Sequence, residues 1–127
     1  MMRTAEITLN GVKYPMCFSL RVVRACNERY GGIENIESAL RDGGAGKTMD
    51  EAIWLLHALI DGGVRHARAS GENAPDAPEL DEMLDICGVG DFAGLKDRIM
   101  ETMTAGSAPA VAVEAESKNA EAARAGV

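Results

Sequence analysis

The sequence predicts an α+β chain, mostly α, in which an N-terminal β-hairpin is followed by a bundle of about five helices. Three observations carry that expectation. Asn10-Gly11 stands between two runs of β-formers, and it suits a type I′ turn because both central residues take positive φ. From Thr48 to Ala69, apolar residues recur at Ile53, Leu56, Ile60, Val64 and Ala67, the three-then-four spacing that lays a stripe along a helix. The other periodic segments are short and divided by Gly- and Pro-bearing breaks.

In the hairpin, Thr4 to Phe18, Ile7 and Leu9 share one face while Glu6 and Thr8 take the other. Across the turn Val12, Tyr14, Met16 and Phe18 alternate with Lys13 and Cys17. Pro15 implies an edge position or a bulge. A lone hairpin is marginal in water, so its apolar face must rest on helices or on a partner's sheet.

Ser19 is placed to cap a first helix that Gly31-Gly32 closes after Tyr30. Leu20, Val23, Cys26 (or Asn27) and Tyr30 form its expected buried side; Arg21, Arg24, Glu28 and Arg29 form the wet side. Ile33, Ile36 and Leu40 mark a short second helix that stops at Asp42-Gly43, and Gly43–Gly46 reads as a flexible connection.

The central helix then opens with Thr48 and Glu51 spaced as a capping box. Trp54, Leu55 and Leu59 widen its apolar surface, so more than one side should be covered. Gly62-Gly63 either breaks it after Asp61 or lets a neighbour approach bare backbone. Val64 and Ala67 stay in register with Ile60, which favours a continuous helix weakened by about 1 kcal/mol per glycine.

Ser70 to Pro78 is a loop by composition, with Pro78 in the first turn of the next helix and Asp76 or Ala77 near its cap. Leu80, Met83, Leu84 and Cys87 make that helix's apolar face. After Gly88-Val89-Gly90, Asp91 caps a last helix striped by Phe92, Leu95, Ile99 (with Met100) and Met103. Residues 1–104 thus read as a single domain. Residues 105–127, rich in Ala and Glu, bury too little to offset ordering entropy and are expected to form a disordered tail.

Two Phe, two Tyr and one Trp leave an aliphatic, Met-filled core. A formal charge of −7 argues against nucleic-acid backbones and anionic membrane surfaces as partners. Three dispersed cysteines, without CxxC or a signal peptide, read as reduced thiols of a cytoplasmic protein. Gly43–Thr48, GGAGKT, lacks the leading glycine of a phosphate loop, since Arg41 stands there, and follows a helix instead of a strand. His57 and His66 have no companion ligands at metal spacing; His57 reads as a hydrogen-bonded boundary histidine and His66 as exposed. No pattern points to a catalytic, cofactor or metal site. Met83, Met100 and Met103 read first as core filling, since Met packs irregular gaps. The alternative is that, with Leu84, they line an adaptable groove for a client's apolar helices.

The order of these pieces is informative beyond any one of them. EITLNGVKYPMCFSLRVVRACNERYGGIENIESAL, a glycine break and DEAIWLLHALIDGGVRHA together resemble the tail assembly chaperones of long-tailed bacteriophages and prophages, over roughly residues 5–68. The resemblance implies a non-enzymatic protein that binds the tape-measure protein, assists tail-tube assembly, self-associates, and stays in the host cytoplasm instead of the mature virion. The other reading it leaves is a structural minor tail or head–tail joining protein. Neither reading asks for a cofactor.

Ile60→Asp is expected to unfold the chain, since an unpaired charge at the centre of the long stripe costs upwards of about 4 kcal/mol. An unchanged melting curve would put that helix elsewhere.

Overall fold

The computed structural model describes residues 4–106. The tail expected from Ala105 lies outside them from residue 107 onward, while Ala105 and Gly106 complete the last helix. The chain is mostly helical, with an antiparallel two-stranded hairpin followed by five α-helices.

Strands β1 (Thr4–Leu9) and β2 (Val12–Cys17) pair one-to-one from Leu9↔Val12 to Thr4↔Cys17. Asn10 (φ 50°) and Gly11 (φ 80°) both sit in the left-handed region that a type I′ turn requires. Ile7, Leu9, Tyr14 and Met16 are buried on one face, and Glu6, Thr8 and Lys13 face solvent. Cys17 is buried too, at the corner leading into the first helix, so the expected alternation stops before the strand does.

Pro15 makes no bulge. The two-residue turn makes Leu9–Val12 a hydrogen-bonded pair, and alternation down the ladder makes Glu6–Pro15 a non-hydrogen-bonded one. Pro15 therefore has no ladder N–H to lose, and its carbonyl, like that of Cys17, points away from β1.

Helix α1 (Leu20–Tyr30) follows Ser19, which has the extended backbone of an N-cap but makes no side-chain cap hydrogen bond. It ends at Gly31 (φ 78°), whose N–H donates to the Asn27 carbonyl at 2.9 Å. Its buried residues are Val22 and Cys26, with Val23 and Tyr30 half-buried. Leu20, expected inside, is 85% exposed. The helix meets the central one through Val22, and this contact turns the buried stripe away from Leu20. A 3-10 turn (Ile33–Asn35) then leads into α2 (Ile36–Arg41), which buries Ile36 and Leu40.

Helix α3 (Ala45–Ala69) is one unbroken element of 25 residues, about 37 Å long at 1.5 Å per residue. All five residues of the expected stripe are buried, as are Leu55 and Leu59, and Trp54 is half-buried. The hairpin and all four other helices pack on it.

Its start differs from the sequence expectation. Gly44 (φ 87°) occupies the cap and the helix begins at Ala45, inside the segment read as a flexible connection. Thr48 forms no capping box. Its hydroxyl donates back to the Gly44 and Ala45 carbonyls at 3.0 and 3.1 Å, and Glu51 turns toward α1 instead.

The glycine pair explains how the hairpin is held. A Cβ on Gly63 would collide with the Pro15 carbonyl group and the Met16 nitrogen. A Cβ on Gly62 would come within 2.6 Å of the Cys17 oxygen and 2.7 Å of Val22 Cγ2. The two outward-pointing carbonyls of β2 thus rest on bare helix backbone, and α3 covers that sheet edge.

After an extended loop, α4 (Leu80–Ile86) is capped by Glu79, not by Asp76 or Ala77. The Glu79 N–H donates to the Glu82 carboxylate at 3.3 Å, and Pro78 lies before the cap instead of inside the helix. A 3-10 turn (Val89–Asp91) runs directly into α5 (Phe92–Gly106), which buries Leu95, Ile99 and Thr102. Asp91 does not cap α5 outright. Its carboxylate accepts the Gly88 N–H at 2.7 Å and closes the 3-10 turn. No helix among the described residues is long and apolar enough to cross a membrane.

Gly63→Ala should cost at least about 3 kcal/mol, the upper range for overpacking, because the obstructing atoms are backbone and cannot swing aside. Gly94→Ala, with open space around its Cβ in α5, should instead stabilise by about 0.5–1 kcal/mol. Urea denaturation of the two variants decides; similar shifts would remove the special role of the α3 glycines.

Candidate functional site

The fold leaves one end of the core incompletely covered. Helix α4 has only seven residues, and Met83, fully buried, takes its inward position. Leu84, 100° further round, is left half exposed. The chain then extends through Cys87 and Gly88 into the short turn before α5, and Val89 projects there 79% exposed.

Between these residues lies a shallow groove of about 140 Å³. Met49 and Ile53 of α3 form one wall, Leu84 the second, and Val89, Phe92 and Leu95 the third. Asp50 stands at its mouth. The volume is below the roughly 300–1,000 Å³ of small-ligand pockets and matches one or two aliphatic side chains.

Of the four residues the sequence put forward for partner binding, only Leu84 lines this groove. Met83 is core, because a one-sided seven-residue helix has a single inward line and Met83 lies at its centre. Met103 is half-buried against the core, and Met100 is partly exposed on α5 outside the groove. Val89 was missed. It sits between two glycines in a segment with no periodicity, so nothing local marked it.

A second cluster joins α1 to α3. Arg29 Nε and Nη2 donate to the Glu51 carboxylate at 2.8 and 3.2 Å, and the Tyr30 hydroxyl donates to it at 2.7 Å. The Arg29 guanidinium also lies 4.5 Å from the Trp54 ring centroid, and Tyr30 meets Trp54 edge-to-face at 5.8 Å. The hydrogen bond from Arg29 holds the Glu51 carboxyl below its ordinary range against opposing burial. Burial, then the bond to Glu51, pushes the Tyr30 hydroxyl up. A catalytic carboxylic acid would need a raised value and an activated phenol a lowered one, so this cluster is built as a staple.

The remaining candidates resolve in the same way. In Gly43–Thr48, Thr48 spends its hydroxyl on backbone carbonyls and α2 precedes the segment, so no phosphate cradle forms. His57 is half-buried, without the expected hydrogen bond among the described residues, and His66 is half-buried instead of exposed. No group of three or more potential ligands for a metal ion occurs among the described residues. The three cysteines form no disulfide. Burial pushes the Cys26 thiol up to about 11; burial, then Asp91, raises that of Cys87. Neither thiol is activated.

Comparison with protein-family models, curated proteins and solved structures finds no match to this chain.

The staple has a pH signature. Glu51 has a folded value below its unfolded one, so its contribution is complete above the usual carboxylate range and is lost as pH falls through the folded value. Tyr30 runs the other way: its contribution is complete below about pH 10 and fades as pH rises beyond it. Glu51→Gln should lower stability by roughly 1–2 kcal/mol at neutral pH, allowing for the part-exposed Arg29, and flatten the acid limb. Identical acid limbs in both proteins would show that the bridge contributes nothing.

Proposed function

We propose that this chain is a non-enzymatic assembly chaperone of a bacteriophage or prophage tail. It holds the long, helical, apolar tape-measure protein in solution and helps tail-tube subunits assemble around it. The observation that carries the reading is the open apolar groove, where exposed Leu84 and Val89 stand together against Met49, Ile53 and Phe92. The sequence resemblance over residues 5–68 supplies the identity of the client. An acidic surface serves such a task by keeping the carrier itself from precipitating.

Self-association belongs to the same proposal. Helix α3 covers the outer edge of β2, whereas among the described residues no strand pairs with the outer edge of β1. An unpaired edge offers its backbone groups to another copy.

Co-expression with the long tail gene tests the reading. The chain should keep that product soluble, and Leu84→Asp with Val89→Asp should abolish the effect while leaving the melting temperature within a few degrees. A variant that protects the client as well as the parent does would remove the groove from the function. Mass spectrometry of purified particles separates the alternative, since a minor tail or head–tail joining protein would be retained in the virion and a chaperone would not.

A further inference from the structure

The groove has a charge as well as a shape. Glu79 to Asp91 contains five acidic residues (Glu79, Asp81, Glu82, Asp85 and Asp91) and no Lys, Arg or His. Asp81 and Asp85 lie one turn apart on α4 beside exposed Leu84, and Asp50 stands on the opposite wall. The ion pairs among the described residues all lie elsewhere: at Arg29–Glu51, around Arg41, at Arg65–Asp61, at Arg68–Asp76 and at Arg98–Glu101. One cation near the groove is Lys96, whose ammonium lies 5.4 Å from the Phe92 ring centroid. Asp81 sits in the first turn of α4, where the helix dipole favours a carboxylate, but Asp85 one turn on repels it and gains nothing from the dipole.

We propose that the groove takes a cationic amphipathic helix. Two aliphatic side chains one turn apart would seat against Ile53, Phe92 and Leu95, between Leu84 and Val89, with Lys or Arg on the flanks reaching Asp50, Asp81 and Asp85. The occupant is a helix because α3, α4, α5 and a 3-10 turn form most of the walls, and the two extended residues among them, Cys87 and Gly88, already donate their N–H groups to the Met83 carbonyl and the Asp91 carboxylate. An extended peptide would find no ladder partner there, whereas a helix brings its own backbone bonds and presents anchors at i, i+3 and i+4. The acidic rim also discriminates against acidic helices, whose charges would face unpaired carboxylates. The inference rests on the chaperone reading only for the name of the client; the preference of the groove is a property of this chain.

The test uses two labelled synthetic helices with the same leucine stripe, one flanked by lysines and the other by glutamates. By fluorescence anisotropy the lysine peptide should bind the full chain saturably and at least about tenfold more tightly than its twin, with affinity falling as salt rises. Because the whole chain carries −7, two variants separate the groove from general attraction. Leu84→Ser with Val89→Ser should weaken the lysine peptide about tenfold at unchanged net charge. Asp81→Lys with Asp85→Lys, on exposed positions, should invert the preference toward the glutamate peptide. Equal binding of the two peptides, failure of the lysine peptide to bind, indifference to the serine variant, or a lysine preference surviving charge reversal would each overturn the proposal. If the lysine peptide fails while the tail gene product stays soluble, the charge inference falls and the chaperone reading stands. If the lysine peptide binds as described and the product precipitates, the reverse holds.

Discussion

The contact that everything else depends on is the one without side chains on its helix side. Two carbonyls of β2 lie on the bare backbone of α3 at Gly62 and Gly63. Each partner needs the other. A two-stranded hairpin does not persist alone in water, and a helix with adjacent glycines is weakened at mid-length by about 2 kcal/mol in sum. Packed together, the helix gains a tertiary contact where its own propensity is poorest, and the strand gains a cover for an edge that Pro15 already spoils. The same seam fixes α1, whose Val22 meets Gly62, and Phe18, against which Gly106 closes α5.

From that seam outward the molecule is asymmetric. Beyond Ile60, α3 meets the hairpin and Val22 of α1 at its two glycines, while its first turns meet the end of α1 on one side and the short α4–α5 corner on the other. Arg29, Tyr30 and Trp54 clamp the first of these sides. The second has no such clamp. The acidic turn-bearing segment that reaches it leaves Met49 half-buried and Leu84 and Val89 exposed, and the groove is what remains.

Most of the fold was legible because its signals are local. Asn10-Gly11 specifies its own backbone, and the Ile53–Ala67 stripe announces a long buried helix through its spacing alone. What was not legible depends on residues distant in sequence. Thr48 and Glu51 have capping-box spacing, yet Glu51 is drawn off by Arg29 and Tyr30, more than twenty positions earlier. Leu20 reads as inward until the position of α1 against Gly62 is known. The site was half legible: periodicity marks Leu84 as apolar and near the surface but cannot rank Met83 against it. Val89, flanked by glycines, carries no pattern at all, and its exposure follows from how α4 ends.

A shallow groove sets its own limit on how firmly it can hold anything. One or two buried aliphatic side chains contribute roughly 1.5–3 kcal/mol each. Most of that is consumed by the lost freedom of two associating bodies. Charge on the rim adds speed and selectivity more than strength. On the proposed reading, a single chain would hold a segment of client briefly and let it go. For a chaperone of the proposed kind, which would surrender its client to a growing tube, weak sites are an advantage. Such sites would work through many copies, or linked copies, along one long partner, so that retention comes from number while each contact stays reversible. On the same reading, the outer edge of β1 and the groove lie on different elements, so association of copies through one would leave the other open to the client.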